Sequence, residues 1–218
     1  MLLLIDGVNM KIYNKDIDII KYNTNIYGLK YRLKFADYNN DLDWAPFTVA
    51  HTQEISQRSL DLVNVLCPGF MDQGIIEIGV DRNANMSFTK ALLNNKPDHI
   101  PYIGIDIVDK SYLNNSSKNI YTIQASSDAQ SVVRNYIKGL NIKTISILFI
   151  DGHHSVNMAT NDWQYADMLG ERGIVFIHDT NSHPGPTIIM EAIDNEKFYT
   201  SKFFVHEDDY GLGIAIKK

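Results

Sequence analysis

The sequence predicts an α/β protein: a mostly parallel sheet covered by helices on both faces and closed by an antiparallel pair of strands at the C-terminus. Three observations carry this. From Thr52 onward, short apolar runs alternate with amphipathic stretches of helical period. The runs, such as Ile145 to Ile150, are too short to span a bilayer. Hydrophobic residues make 44% and charged residues 21% of the 218, the balance of an ordinary globular chain. Disorder, coiled coil and collagen-like structure are excluded over most of the length.

The elements follow in order. Residues 1–50 are rich in Tyr, Asn, Asp and Ile and form an expected β-rich extension. In Tyr27 to Phe35, Leu29, Tyr31, Leu33 and Phe35 alternate with Lys30, Arg32 and Lys34, the period of a half-exposed strand. The remainder, 51–218, is the expected α/β domain. A helix starts near Thr52, with Ile55, Leu62, Val63 and Leu66 on one face, and Pro68-Gly69 stops it. Strands follow at Gly74–Gly79, Tyr102–Asp106, Asn119–Ile123, Ile145–Asp151 and Gly173–Asp179. Helices fall at Ser87–Leu93, Ala129–Lys138 and Ala159–Leu169. Phe203–Val205 and Gly211–Ile216 are joined by only a short acidic link, Glu207 to Tyr210. That is too brief for a crossover, so an antiparallel hairpin is expected.

Charge narrows the partners. Against 20 Lys and Arg stand 26 Asp and Glu, a net charge of -6 that repels phosphate backbones, so nucleic acid is not expected as a partner. Cys67 is the single cysteine, within an apolar stretch, and reads as a buried inert thiol. No basic flank or long apolar run marks the start as a signal peptide, and a cytoplasmic protein without a membrane partner is expected.

In open α/β sheets ligands bind beyond the carboxyl ends of the strands. Those ends carry Glu77-Ile78-Gly79, Asp106, Ser126-Ser127-Asp128, Asp151-Gly152-His153-His154 and His178-Asp179. One acid there is commonplace, but a row of polar clusters on one rim is not. Asp151 and Asp179 are expected at the ends of neighbouring central strands. Two converging carboxylates repel unless a proton or a cation sits between them, and a hard divalent ion such as Mg²⁺ relieves the repulsion.

The stretches Ile75 to Val80, Ile150 to Asp162 and Gly173 to Thr180 give this order a family likeness. It resembles class I S-adenosylmethionine-dependent methyltransferases, and in the second half the metal-dependent O-methyltransferase branch of catechol and macrocin type. Asp151, Gly152, His154 and Asp162 match that branch's spacing, Val156 stands in place of an aromatic, and only Gly79 remains of the glycine loop. The resemblance implies a Rossmann-like methyltransferase fold with a seven-stranded sheet, covering residues 52–218. The implied cofactor is S-adenosyl-L-methionine, contacted by Glu77, Gly79, Asp81, Ser87, Asp106, Ile107, Ser127, Asp128, Asp151 and His153. Within that set Glu77 receives the cofactor amine or orders the loop, and Asp106 accepts the two ribose hydroxyls. Asp109 competes with Asp106, a turn or cap role competes for Ser127 and Asp128, and Gly79 alone reads as an ordinary turn.

The implied cation ligands are Asp151, Asp179 and His178. Histidine replaces an acid found in relatives, so Mn²⁺ or Zn²⁺ joins Mg²⁺ as a candidate. His154 stands at the position of a general base, where an ordinary imidazole pKa near ~6.5 suits proton uptake at neutral pH. His51, His99 and His206 read as structural, Trp163 and Tyr165 as core, and Pro184-Gly185-Pro186 as a stiff loop. The expected activity is O-methyl transfer to a hydroxyl of a small molecule or sugar, the catalytic residues being His154 and Asp151. The alternatives are a metal-dependent hydrolase on the Asp151/His154/Asp179 rim and a non-catalytic S-adenosylmethionine-binding protein. The extension is expected to cover the acceptor side or to pair two copies of the chain.

Overall fold

The computed structural model describes residues 4–12, 15–22, 24–35, 53–80, 88–181, 183–203 and 210–218. For 4–12, 15–22, 32–35 and 53–57 it describes the backbone alone. The N-terminal region forms a three-stranded antiparallel sheet, β1 (Leu4–Ile12), β2 (Lys15–Tyr22) and β3 (Arg32–Phe35), in the order β1-β2-β3. The strand expected from Tyr27 is shorter than its alternation suggested. Residues 26–30 turn instead, Leu29 bridges to Ile193, and the Trp163 indole N–H donates to the Tyr27 carbonyl at 2.8 Å. Leu29 is buried with the core of the larger sheet.

That sheet has seven strands: β4 (Gly74–Ile78), β5 (Tyr102–Asp106), β6 (Ile120–Gln124), β7 (Ile145–Ile150), β8 (Leu169–His178), β9 (Phe198–Phe203) and β10 (Leu212–Lys217). Their order is β6-β5-β4-β7-β8-β10-β9. Strands β4 to β8 run parallel, and β10 lies antiparallel between β8 and β9. The expected fold class is therefore found, down to the antiparallel C-terminal hairpin. The hairpin's first strand is described over Phe198–Phe203; of the expected Phe203–Val205, Phe204 and Val205 lie outside the described residues.

β4 and β7 are buried along their whole length, as strands covered on both faces must be. Among the described residues the α-helices are α1 (Gln53–Leu66), α2 (Phe88–Asn95), α3 (Gln130–Gly139), α4 (Val156–Trp163) and α5 (Pro184–Ala192). One apolar layer holds Val63, Cys67, Phe149 and Phe176, the other Ile76, Trp163, Tyr165 and Ile177. Burial pushes the Cys67 thiol up to about 12, which fits an inert core residue.

Two helices differ from expectation. α4 begins at Val156 because Ser155 caps it, its Oγ accepting from the Met158 N–H. Pro184-Gly185-Pro186 forms the first turn of α5, where proline's missing N–H costs nothing. Among the described residues no helix is long and apolar enough to cross a membrane.

Candidate active site

The strand order reverses between β4 and β7, and a crevice opens there beyond the carboxyl ends. A cavity of about 630 Å³ fills it, lined among others by Gly79, Asp106, Ile107, Ser127, Asp151 and His153. Six expected cofactor contacts thus meet in one place.

Gly79 is indispensable to that floor. Its φ is +81°, and a Cβ there would stand 1.9 Å from the Asp151 carbonyl oxygen. The absence of a side chain lets the end of β4 pass against the end of β7. The Gly79 N–H donates to the Ile105 carbonyl and the Asp151 N–H to the Ile78 carbonyl, which stitches three strand ends together.

Asp106 is already at work within the protein. Its Oδ2 accepts from the Val80 N–H at 3.0 Å and its Oδ1 from the Val108 N–H at 2.7 Å. Each oxygen keeps a second lone pair, enough to receive a diol. Lys110 was not singled out in the sequence, yet it is buried here and donates to the Val80 carbonyl at 2.6 Å, with its Nζ 3.6 Å from Asp106 Oδ2. Its spacing of four from Asp106 was the only sign.

Glu77 does not belong to the cavity lining. A strand alternates its side chains, and Glu77 shares the face of Ile75 rather than that of Ile76 and Ile78. Thr89 Oγ1 donates to Glu77 Oε1 at 2.8 Å and the Tyr102 hydroxyl donates to Oε2, so the carboxylate ties β4 to β5 and to the start of α2. Burial and the Glu77 charge together hold the Tyr102 hydroxyl well above its usual pKa. Asp128 is exposed and outside the lining as well. The expected contacts Asp81 and Ser87 lie outside the described residues.

Beside the cavity stands a compact cluster of acids and imidazoles. Asp151 and Asp179 follow the neighbouring strands β7 and β8, as expected. Asp179 has φ +61°, a left-handed backbone that Asp tolerates better than most residues. Nδ1 of His178 lies 3.2 Å from Oδ1 of Asp151 and 3.2 Å from Oδ1 of Asp179. Nε2 of His154 lies 3.1 Å from Asp179 Oδ2 and 3.6 Å from Asp151 Oδ1.

Burial opposes a charge on His178, but Asp179 and Asp151 outweigh it and raise the imidazole well above its usual pKa. Burial likewise pushes Asp151 up, and His178 with His154 more than reverse that, holding it below the usual carboxylate range. The two carboxylates thus demand a positive charge between them, from a proton or a cation. Asp151, His178 and Asp179 each offer a ligand atom, all within 4.8 Å of one another. Two carboxylates and one imidazole suit a divalent ion.

Two further residues complete the neighbourhood. His183, buried at the N-cap of α5, faces the His154 ring with centroids 4.1 Å apart. Its signal in the sequence was its place four residues after Asp179. Tyr210 lies against His183 with ring centroids 6.3 Å apart.

Comparison with solved structures bears on the fold. An O-methyltransferase from Bacillus cereus, solved with S-adenosylhomocysteine (SAH), superposes with a TM-score of 0.56 at 13% identity, over 78% of this chain and 84% of that one. The chain has the fold of the class I methyltransferases. MycE, from mycinamycin biosynthesis and solved with Mg, SAH and mycinamycin VI, gives 0.52 at 13% identity over 78% of this chain. This chain spans about half of MycE, covering 55% of its length. TomG of Streptomyces achromogenes, an O-methyltransferase of tomaymycin synthesis solved with SAM, gives 0.50 at 11% identity over 79% and 92% of the two chains. No family profile and no curated protein matches the sequence.

Proposed function

We propose that this protein is an S-adenosylmethionine-dependent O-methyltransferase, assisted by a divalent cation, acting on a hydroxyl of a small molecule or sugar. One observation carries the reading. The cavity across the ends of β4, β5 and β6 shares Asp151 as a wall with the Asp151–His178–Asp179–His154 cluster. A methyl donor and an acceptor bound in these two places would lie side by side.

The chain's residues fit the cofactor. Gly79 leaves backbone room, Asp106 offers free lone pairs for a diol, and Ile107 and Met158 add apolar wall to the cavity. When bound, S-adenosylmethionine supplies a methyl group carried on a sulfonium. Asp151, Asp179 and His178 would hold the cation, which supplies Lewis-acid activation of the acceptor hydroxyl. His154 takes the hydroxyl proton at Nε2, and Asp179 Oδ2, 3.1 Å away, steadies the imidazolium so formed. Orientation by these fixed side chains places the acceptor oxygen toward the cavity.

The test is calorimetry with S-adenosylmethionine and SAH, followed by methyl transfer to a panel of phenols, sugars and hydroxy acids. Both ligands should bind, and transfer should vanish in EDTA and return with Mg²⁺, Mn²⁺ or Zn²⁺. Binding of neither ligand would overturn the reading. Full activity in EDTA would remove the cation and leave His154 to act alone.

A further inference from the structure

The two oxygens of Asp179 face two different sets of donors. Oδ1 looks toward His178 and, beyond it, Asp151, whereas Oδ2 looks toward His154. His183 adds a second imidazole beside His154, with ring centroids 4.1 Å apart. The ligand atoms of His154, Asp179 and His183 all lie within 4.8 Å of one another, a group separate from Asp151, His178 and Asp179 except for the shared carboxylate.

We propose that His154, Asp179 and His183 form a second cation position, selective for Zn²⁺ or a similar borderline metal, with Asp179 bridging the two positions. The donor set decides the class of ion. Two imidazoles and one carboxylate favour zinc-like metals, while hard Mg²⁺ and Ca²⁺ prefer oxygen alone. Three protein ligands also leave a fourth tetrahedral place open to water or to an acceptor oxygen.

The position is held firmly by the backbone. The Gly185 N–H donates to the His154 carbonyl at 2.8 Å, and the His183 N–H donates to the Asp179 carbonyl at 3.1 Å. A Cβ on Gly185 would stand 2.5 Å from the His154 carbonyl oxygen, so only glycine brings the two loops so close. The rings of His154 and His183 are inclined at 48° rather than stacked flat, which lets ring edges converge. Carboxylate bridging between adjacent ions is an established way for one acid to serve two metals.

A functional consequence follows, and it alone rests on the methyl-transfer reading. A cation on the Asp151 side leaves the His154 lone pair free to take a proton. A cation on the His183 side occupies that lone pair, so excess Zn²⁺ silences the base. The second position is then inhibitory, and it would make turnover sensitive to the free zinc level.

The experiment titrates Zn²⁺ and, separately, Mn²⁺ into the full chain by calorimetry, for the unaltered protein and for His183→Asn. Asparagine keeps a residue suited to the N-cap of α5. Two zinc ions should bind to the unaltered protein. In the variant one of them should weaken by at least about tenfold, while Mn²⁺ binding stays unchanged. Unchanged zinc binding in His183→Asn overturns the proposal. A single zinc in the unaltered protein also overturns it but leaves the Asp151 position standing. Failure of both metals to bind removes the cation from the proposed reaction too. X-ray absorption at the zinc edge of the unaltered protein decides the matter without a variant. Saturated with zinc it should show more than one imidazole per ion, and one or fewer counts against the second position.

Discussion

The two halves of the rim are built from different materials. On the side of β4, β5 and β6 the cavity is shaped by backbone: Gly79 turning under Asp151, and the Val80 and Val108 N–H groups fixing Asp106. On the side of β7 and β8 the surface is made of titratable side chains, two aspartates and three histidines, within a few ångströms of each other. The first half can recognise shape and hydrogen-bonding pattern, and the second can hold charge and move protons. Binding and chemistry should therefore be separable by mutation.

The largest effect is expected at Asp179. Asp179→Asn removes a carboxylate that both His178 and His154 face, so turnover should fall by at least about 10²-fold, as for loss of one electrostatic stabiliser. SAH affinity should stay within about twofold, since Asp179 is not part of the cavity wall. Calorimetry beside a rate measurement reads both. A parallel loss of SAH binding would show that the halves are not independent.

Gly79→Ala attacks the other half. A left-handed backbone alone costs alanine about 1–2 kcal/mol, and the Asp151 carbonyl adds a collision that backbone movement must relieve. Cofactor binding should fail together with a clear drop in thermal midpoint. A variant of native stability and native affinity would mean that the strand ends are softer than the geometry states.

Lys110→Met is milder. It removes a buried cation that holds the Val80 carbonyl and balances Asp106, while keeping the length of the side chain. SAH affinity should weaken by about 1.5–3 kcal/mol, the range for hydrogen bonds to charged groups, with the metal affinity unaltered. An unchanged cofactor affinity would leave Lys110 a purely structural residue.

What could be read from the sequence divides along the same line. The strands β4, β5, β7 and the second half of β8 were legible because buried parallel strands are continuous apolar runs, and so were Asp151, Asp179 and His154, which stand at the ends of such runs. Of the two roles expected for Glu77, receiving the cofactor amine or ordering the loop, the sequence could not choose, because a strand end names a rim but not a face, and only the pleat shows that it turns toward Tyr102 and Thr89. Lys110 and His183 act through loops whose path no periodicity reports. Leu29 went unrecognised as core for the same reason, since its burial depends on a turn meeting Ile193 from the far end of the chain.

The smallest effect on binding is expected at Asp162, which lies against Gly152. It is fully buried, and neither oxygen makes a well-formed hydrogen bond. Oδ2 lies only 3.0 Å from where a Cβ on Gly152 would be. Burial pushes it up to about 7; Ser127 and the His154 charge partly offset this, and the Asp128 charge adds to it. The folded state thus keeps a proton that the unfolded chain loses near the ordinary aspartate pKa of ~3.9. A group with a raised folded pKa binds more protons when native, so its contribution is full below pH ~4 and is lost as pH rises toward about 7. Stability should fall by about 1 kcal/mol per pH unit between roughly pH 5 and 7 from this residue. Asp162→Asn, which cannot ionise, should flatten that slope in urea unfolding while leaving SAH affinity unchanged at pH 6. A slope that persists in the variant would show that another group carries the proton and leave Asp162 a silent spacer under Gly152.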